Sequence, residues 1–283
     1  MIKLENTKYE SKEKKDSKDG KKWKRWLSPT AINSYLRCPR HFYLSKIKKI
    51  KQKPSIHLIR GIAVHKAVEK FYANKMNQYP DMDYSELRHL VIGLFKTEWE
   101  DKTDSLDSLE LTVDELDFYN WDSQMMMLNF LDDFVRNKGF SKPDPVIEKT
   151  LFSHKYLLLA RLDKIEKQLL PHYIEDFKTS KSMEITEEIK RQMGICSLLY
   201  QEVYKRKPIL GVNFLKFKNG RKIIDLSDDY IEGLKHLVLE IHAKTQSEHI
   251  KDYPCKCRWC HKNFDIMKDS KDTKKGKGTN AIS

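Results

Sequence analysis

The residues best suited to chemistry lie in one stretch, 157–180, which reads LLLARLDKIEKQLLPHYIEDFKTS. Two short apolar runs flank Pro171, the pattern of adjacent strands joined by a turn. Asp163 sits near the middle of the first run. Asp176 and Lys178 close the second, two residues apart, so on a strand their side chains leave the same face. Two carboxylates and an ammonium at one sheet edge suit a divalent cation beside a phosphate. Carboxylates are hard ligands for Mg²⁺, the metal polarises a phosphoryl oxygen and activates water, and the lysine offsets charge developing on the phosphate. An isolated D-x-K is more often an ordinary solvated strand end, so the surrounding sequence must decide.

Two more residues fit that chemistry. His65 falls in a helical pattern upstream, and imidazole joins carboxylates readily around Mn²⁺. Gln192 comes early in the helix after D-x-K, where its amide could reach the lysine or a phosphate. Alone, each is an ordinary core or surface polar residue.

The elements that must position these groups follow from periodicity and punctuation. Ser28 caps and Pro29 starts a first helix, which Pro39 breaks or kinks. A second helix is expected over 61–77, with Ile62, Val64, His65, Val68, Phe71 and Tyr72 at helical spacing. Longer helices follow at 83–101 and 111–138, with Trp99, Trp121 and Met125 to Met127 turned inward. Strands are expected at 146–152, 157–167 and 173–178, then a helix over 184–205. Strands 209–218 and 221–226 surround an Asn219-Gly220 hairpin signal, and Ser227 with Asp228 opens a last helix to about Lys244. This order gives an α/β fold, a mixed sheet flanked by helices behind a helical N-terminal part. Residues 1–25 read as a disordered basic arm, 26–265 as a single domain with a helical insertion at about 80–140, and 266–283 as a disordered Lys-rich tail.

Composition narrows the class. The 283 residues carry 54 Lys and Arg against 41 Asp and Glu, a formal charge of +13 that favours a polyanionic partner. The acids concentrate over 98–133, a face a nucleic acid would avoid. No apolar run approaches the ~20 residues of a membrane span, and the N-terminus is too polar for a secretory signal. An intracellular, cytoplasmic protein with no membrane partner is expected, so its five cysteines are more suited to thiols or metal ligands than disulfides. Cys38 stands in RCPRHFY, and Cys255, Cys257 and Cys260 crowd the C-terminal CKCRWC. Four thiolates suffice for an iron–sulfur cluster or a tetrahedral zinc.

The ordered set LSPTAINSYLRCPRHFYL, RGIAVHKAVEKFY, LLARLDKIE, YIEDFKTSKS and RQMGICSLLY resembles the PD-(D/E)XK nuclease superfamily, and within it the RecB-like exonucleases, among them CRISPR-associated and phage enzymes. The resemblance runs from about Ser28 to Tyr200. It implies a restriction-endonuclease-like fold and a metal-dependent DNA exonuclease working through a metal-activated water. His65, Asp163 and Asp176 would hold Mg²⁺ or Mn²⁺, with Lys178 and Gln192 completing the catalytic set. Ala160 or Arg161 stands where a glycine is usual before Asp163. Cys196 replaces the tyrosine of Q-x-x-x-Y, with Tyr200 one turn on. Glu175 should face away. Cys38, Cys257 and Cys260 match three places of a [4Fe–4S] site, with zinc second; Ile266 stands where a last cysteine is expected, so Cys255 would supply the fourth thiolate instead, and His261 is a further candidate ligand. The resemblance also implies DNA ends or single strands as partner, a helicase or recombination partner, and host cytoplasm if the protein is phage-encoded. Basic runs at 46–53, 178–181 and 205–207, with Trp259 to stack on bases, would hold the DNA. A non-catalytic nuclease-like DNA-binding module and a restriction-type endonuclease are the competing readings.

Overall fold

The computed structural model describes residues 23–50, 54–73, 82–139, 142–167, 170–258 and 260. Helix α1 (Pro29–Arg37) starts where expected, Ser28 accepting from the Ala31 N–H and Pro29 filling the first turn. It ends before Pro39 because Cys38 is fully extended, and α2 (Pro39–Phe42) restarts at the proline and runs into a π-helical turn, Tyr43–Ile47. Helix α3 (Ile56–Ala73) begins five residues earlier than the periodicity suggested; residues 74–77 lie outside the described chain. Capping boxes start α4 (Tyr84–Glu100) at Asp83 and α6 (Val113–Arg136) at Thr112, with a short α5 (Thr103–Asp107) between them.

Five strands then form one sheet in the order β1-β2-β3-β4-β5: β1 (Val146–Ser153), β2 (Leu158–Glu166), β3 (Tyr173–Lys178), β4 (Ile209–Phe214) and β5 (Arg221–Ile224). Only β3 and β4 run parallel, joined through α7 (Glu187–Tyr204); the other neighbours are antiparallel. Helix α8 (Asp228–Lys244) follows, capped by Ser227 as expected. The mixed sheet with helices on both faces is the α/β arrangement anticipated. Strand β4 stops at Phe214, four residues short of expectation. The chain there turns back on itself, Phe217 N–H donating to Phe214 O and Phe214 N–H to Gly220 O, so the hairpin loop is longer than two residues. Asn219 carries the positive φ, and a Cβ on Gly220 would fall 2.1 Å from Phe214 O, which demands glycine.

One core lies between the sheet and α1, α7 and α8; the other packs α3, α4 and α6 against the opposite face through Phe177 and Leu215. Met126 and Met127 fill the second core as expected, but Trp121 does not: it is 58% exposed. The inward stripe of α6 runs through Ser123, Met126, Met127, Phe130, Leu131 and Phe134, and Trp121 lies off it, beside the exposed Phe118. The acidic run over 98–133 is not one solvated face either. Glu98, Asp122 and Asp133 are buried and paired with Lys70, with Arg60 and Lys216, and with Arg221. Trp23 stacks on His242, and the Lys24 N–H and Arg25 bond to Gln246 and to Thr245 O, so these last three residues of the basic arm are anchored. Among the described residues no helix is long and apolar enough to cross a membrane.

Candidate active site

Strand alternation sorts β3 cleanly. Ile174, Asp176 and Lys178 leave one face, toward α7, while Tyr173, Glu175 and Phe177 leave the other. On the α7 side the three polar groups close a triangle. Lys178 Nζ lies 2.8 Å from Asp176 Oδ2 and donates to Gln192 Oε1 at 2.8 Å, and Gln192 Nε2 donates to Asp176 Oδ1 at 2.6 Å. The amide of Gln192 thus fixes both members of the D-x-K pair; its reach to Lys178 is the one expected, and its bond to Asp176 is additional. Burial works against charge on Lys178, but the adjacent Asp176 and Asp163 behind it together outweigh this and raise its pKa, so the ammonium persists at neutral pH.

Asp163 joins from β2 where the β2–β3 ladder ends. Pairing stops at Lys164 opposite Glu175, and beyond it the Phe177 N–H donates to Asp163 Oδ2 at 2.9 Å instead of to a strand carbonyl. His65 arrives from α3, its Nδ1 3.4 Å from the same oxygen. Burial lowers the His65 pKa and leaves a neutral imidazole, the form that ligates metals. Burial and the neighbouring Asp176 push the Asp163 carboxyl well above the usual carboxylate range. Asp176 Oδ2 is itself buried and makes no well-directed hydrogen bond. Carboxylates under such strain, with an imidazole alongside, fit a divalent cation.

The structure adds Glu148, which the sequence reading missed. Ligand atoms of His65, Glu148 and Asp163 all lie within 4.8 Å of one another, whereas Asp176 is turned to Lys178 and Gln192 and is not in that group. Glu148 lies on β1 opposite Asp163, in a gap between the paired Ile147 and Lys149. Its φ of 52° is costly for a residue with a Cβ. Arg161 bridges it to Glu69 on α3. A lone glutamate in a strand of seven other unremarkable residues carried no signal; only the register with Asp163 exposes it. Cys196, one turn after Gln192, is buried, and its thiol pKa is pushed up by burial and then by Asp176.

The four expected cysteines also converge. Their sulfurs lie within 4.8 Å of one another, Cys38 to Cys260 at 3.8 Å and Cys257 to Cys260 at 3.3 Å, and none is in a disulfide. The proline break that leaves Cys38 extended brings its sulfur to the tail, where it accepts from the Lys256 N–H at 3.3 Å. Burial raises the Cys38 thiol pKa, but the Lys256 and His41 amides and the neighbouring thiols more than reverse this, to about 7. A thiol so poised is ready to ligate. His261 and Trp259 lie outside the described residues, as do 51–53 of the basic link.

The sequence model of the PD-(D/E)XK nuclease superfamily matches residues 26–262. No curated protein matches the chain in sequence. A solved structure from Eubacterium rectale, of a protein provisionally described as an exonuclease, is similar in fold: its TM-score is 0.54 at 12% identity, over 92% of this chain and 91% of that one. The match spans both walls of the site just described, from the α1 region to the cysteine tail, and the chain belongs to the PD-(D/E)XK nuclease superfamily.

Proposed function

We propose that the protein is a divalent-metal-dependent DNA exonuclease. The observation that carries this is the Asp176–Lys178–Gln192 triangle set beside Asp163 and His65 at the end of β3. Asp163, Asp176 and His65 would hold Mg²⁺ or Mn²⁺, with Glu148 near enough to share the task. Bound there, the cation supplies Lewis-acid activation of water and of the phosphodiester. Lys178 stays charged and, pinned by Asp176 and Gln192, offsets the negative charge that grows on the phosphate during attack. Neutral His65 accepts the metal without a proton to displace. The exonuclease reading, rather than an endonuclease, is supported by the RecB-like motif order and by the description of the Eubacterium rectale protein.

At the second centre, Cys38, Cys255, Cys257 and Cys260 would hold one metal centre that staples the tail to α1. The donor set of four thiolates, none of them in a disulfide, fits a [4Fe–4S] cluster first and a tetrahedral zinc second.

The test is cleavage of end-labelled linear and of circular DNA, each single- and double-stranded, with Mg²⁺, Mn²⁺ or EDTA. Metal-dependent loss of linear but not circular DNA is expected. Cut circles would establish an endonuclease, and binding without cleavage by metal-loaded protein would establish a non-catalytic module.

A further inference from the structure

Gln192 stands in the second turn of α7, close to the start of the helix at Thr186. The segment leading into that start, 179–186, is irregular and mostly exposed. A helix end with so little packed before it opens readily unless another element holds it. Here the holder is α1, and it works through one buried side chain.

Asn33 lies in the middle of α1, only 8% exposed, beside the buried Ala31 and Ile32. Asparagine is a weak helix former there, and a buried amide must find partners. Both ends of this one find them on α7. Asn33 Nδ2 donates to Glu188 O at 2.9 Å, and Asn33 Oδ1 accepts from Arg191 Nε at 2.9 Å. Within an α-helix the carbonyl of residue 188 also receives the N–H of residue 192. Asn33 thus takes the second lone pair of the carbonyl that anchors the Gln192 backbone, and grips the side chain next to Gln192. From there the contacts continue to Asp176 at 2.6 Å and Lys178 at 2.8 Å. Arg37, one turn further along α1, pairs with the Glu188 carboxylate at 2.8 Å, but both side chains are about half exposed, so this pair contributes little.

We propose that Asn33 is a positioning residue for cleavage. It holds the second turn of α7 where Gln192 reaches both Asp176 and Lys178, and its action on the lysine runs through Gln192 alone. This rests on the nuclease reading above, and goes beyond it by giving a part in the reaction to a residue outside the D-x-K cluster.

The experiment measures single-turnover cleavage of end-labelled linear DNA at saturating enzyme with Mn²⁺, and DNA affinity in EDTA. The proteins are wild type, Gln192→Ala, Arg37→Ala, and Asn33→Ala and Asn33→Asp, each alone and combined with Gln192→Ala. Asn33→Asp keeps the acceptor for Arg191 and loses only the donor to Glu188 O, so it tests the backbone bond even where Asn33→Ala fails to fold. Both Asn33 variants are expected to cleave about tenfold more slowly, the lower end for a partner standing behind a site residue, with DNA affinity unchanged. Gln192→Ala should lose at least as much, and adding either Asn33 change to it should cost nothing further, because the two residues act in one chain. Arg37→Ala should match wild type. An unchanged rate in the Asn33 variants overturns the proposal, and so does a loss confined to DNA affinity. A second tenfold loss in the Gln192→Ala background also overturns it, marking a merely structural residue, as does an equal loss in Arg37→Ala. Cleavage by Lys178→Ala at the wild-type rate would instead overturn the nuclease reading, so the two failures are distinguishable.

Discussion

Strand β3 carries two charged clusters, one on each face, and they are built to opposite ends. Beneath the strand, Glu175 is fully buried and receives Lys164 Nζ at 3.1 Å, Arg221 Nε at 2.6 Å and Tyr173 Oη at 3.1 Å. Arg221 continues to Asp133 at 2.8 Å, and Lys164 to Glu166 at 2.7 Å. Gly211 on β4 makes the room: a Cβ there would fall 1.9 Å from the Tyr173 hydroxyl. Every charge in this network has opposite charges on its flanks. On the other face, Asp163, Asp176 and Glu148 stand against Lys178 and Arg161, and the Asp163 carboxyl is driven toward its protonated form. Neither burial nor charge distinguishes a structural cluster from a reactive one here. Closure does: one network is complete within the protein, and the other has carboxylate capacity left over.

The largest expected effect of that difference is on rate. Lys178→Ala should lower cleavage by a factor on the order of 10²–10³ while leaving the fold intact, measured by single-turnover kinetics and thermal melting. Arg221→Ala should do the reverse. Removing one partner of a buried ion network costs roughly 3–5 kcal/mol, read as a lower midpoint in denaturant, with turnover per folded molecule little changed. A large rate loss without destabilisation in Arg221→Ala would erase the contrast between the faces.

Smaller effects sharpen it. Glu148→Gln should weaken Mn²⁺ binding by roughly tenfold, in the range seen for residues supporting a metal site, measured by calorimetry; unchanged affinity would leave Glu148 a mere partner of Arg161. Chelation, or Cys260→Ser, should remove the iron or zinc held by the four cysteines, read by elemental analysis, and lower the melting temperature, because metal binding couples to folding. The smallest effect concerns His242, fully buried, its Nε2 2.7 Å from Tyr156 O and its Nδ1 without a partner. Burial lowers its pKa. The folded state therefore takes up fewer protons than the unfolded one, so the stability it contributes is complete above about pH 6.5 and is lost as pH falls below that value. Wild type should lose more stability than His242→Gln between pH 7.5 and 5.5.

Much of this was legible in the sequence because it rests on local rules. Ser28 with Pro29, the extended Cys38 before Pro39, Ser227, and the two-residue spacing of Asp176 and Lys178 each act within a few residues. The opposed orientation of Glu175 followed from strand parity alone. What was not legible depends on register and on partners distant in sequence. Glu148 becomes relevant only through the alignment of β1 with β2. The acidic run divides into paired interior residues and a solvated remainder only once Arg60, Lys216 and Arg221 reach it from elsewhere. Trp121 misled because its bulk suggested core, although the α6 stripe passes it by.

The most direct test of the central claim, that the open face of β3 performs the chemistry, compares wild type, Lys178→Ala and Glu175→Gln on end-labelled linear DNA with Mn²⁺ and with EDTA, each scored per folded molecule. The account predicts metal-dependent cleavage by wild type and Glu175→Gln and cleavage slower by a factor on the order of 10²–10³ from Lys178→Ala. Cleavage by Lys178→Ala at the wild-type rate, or cleavage in EDTA, would contradict it.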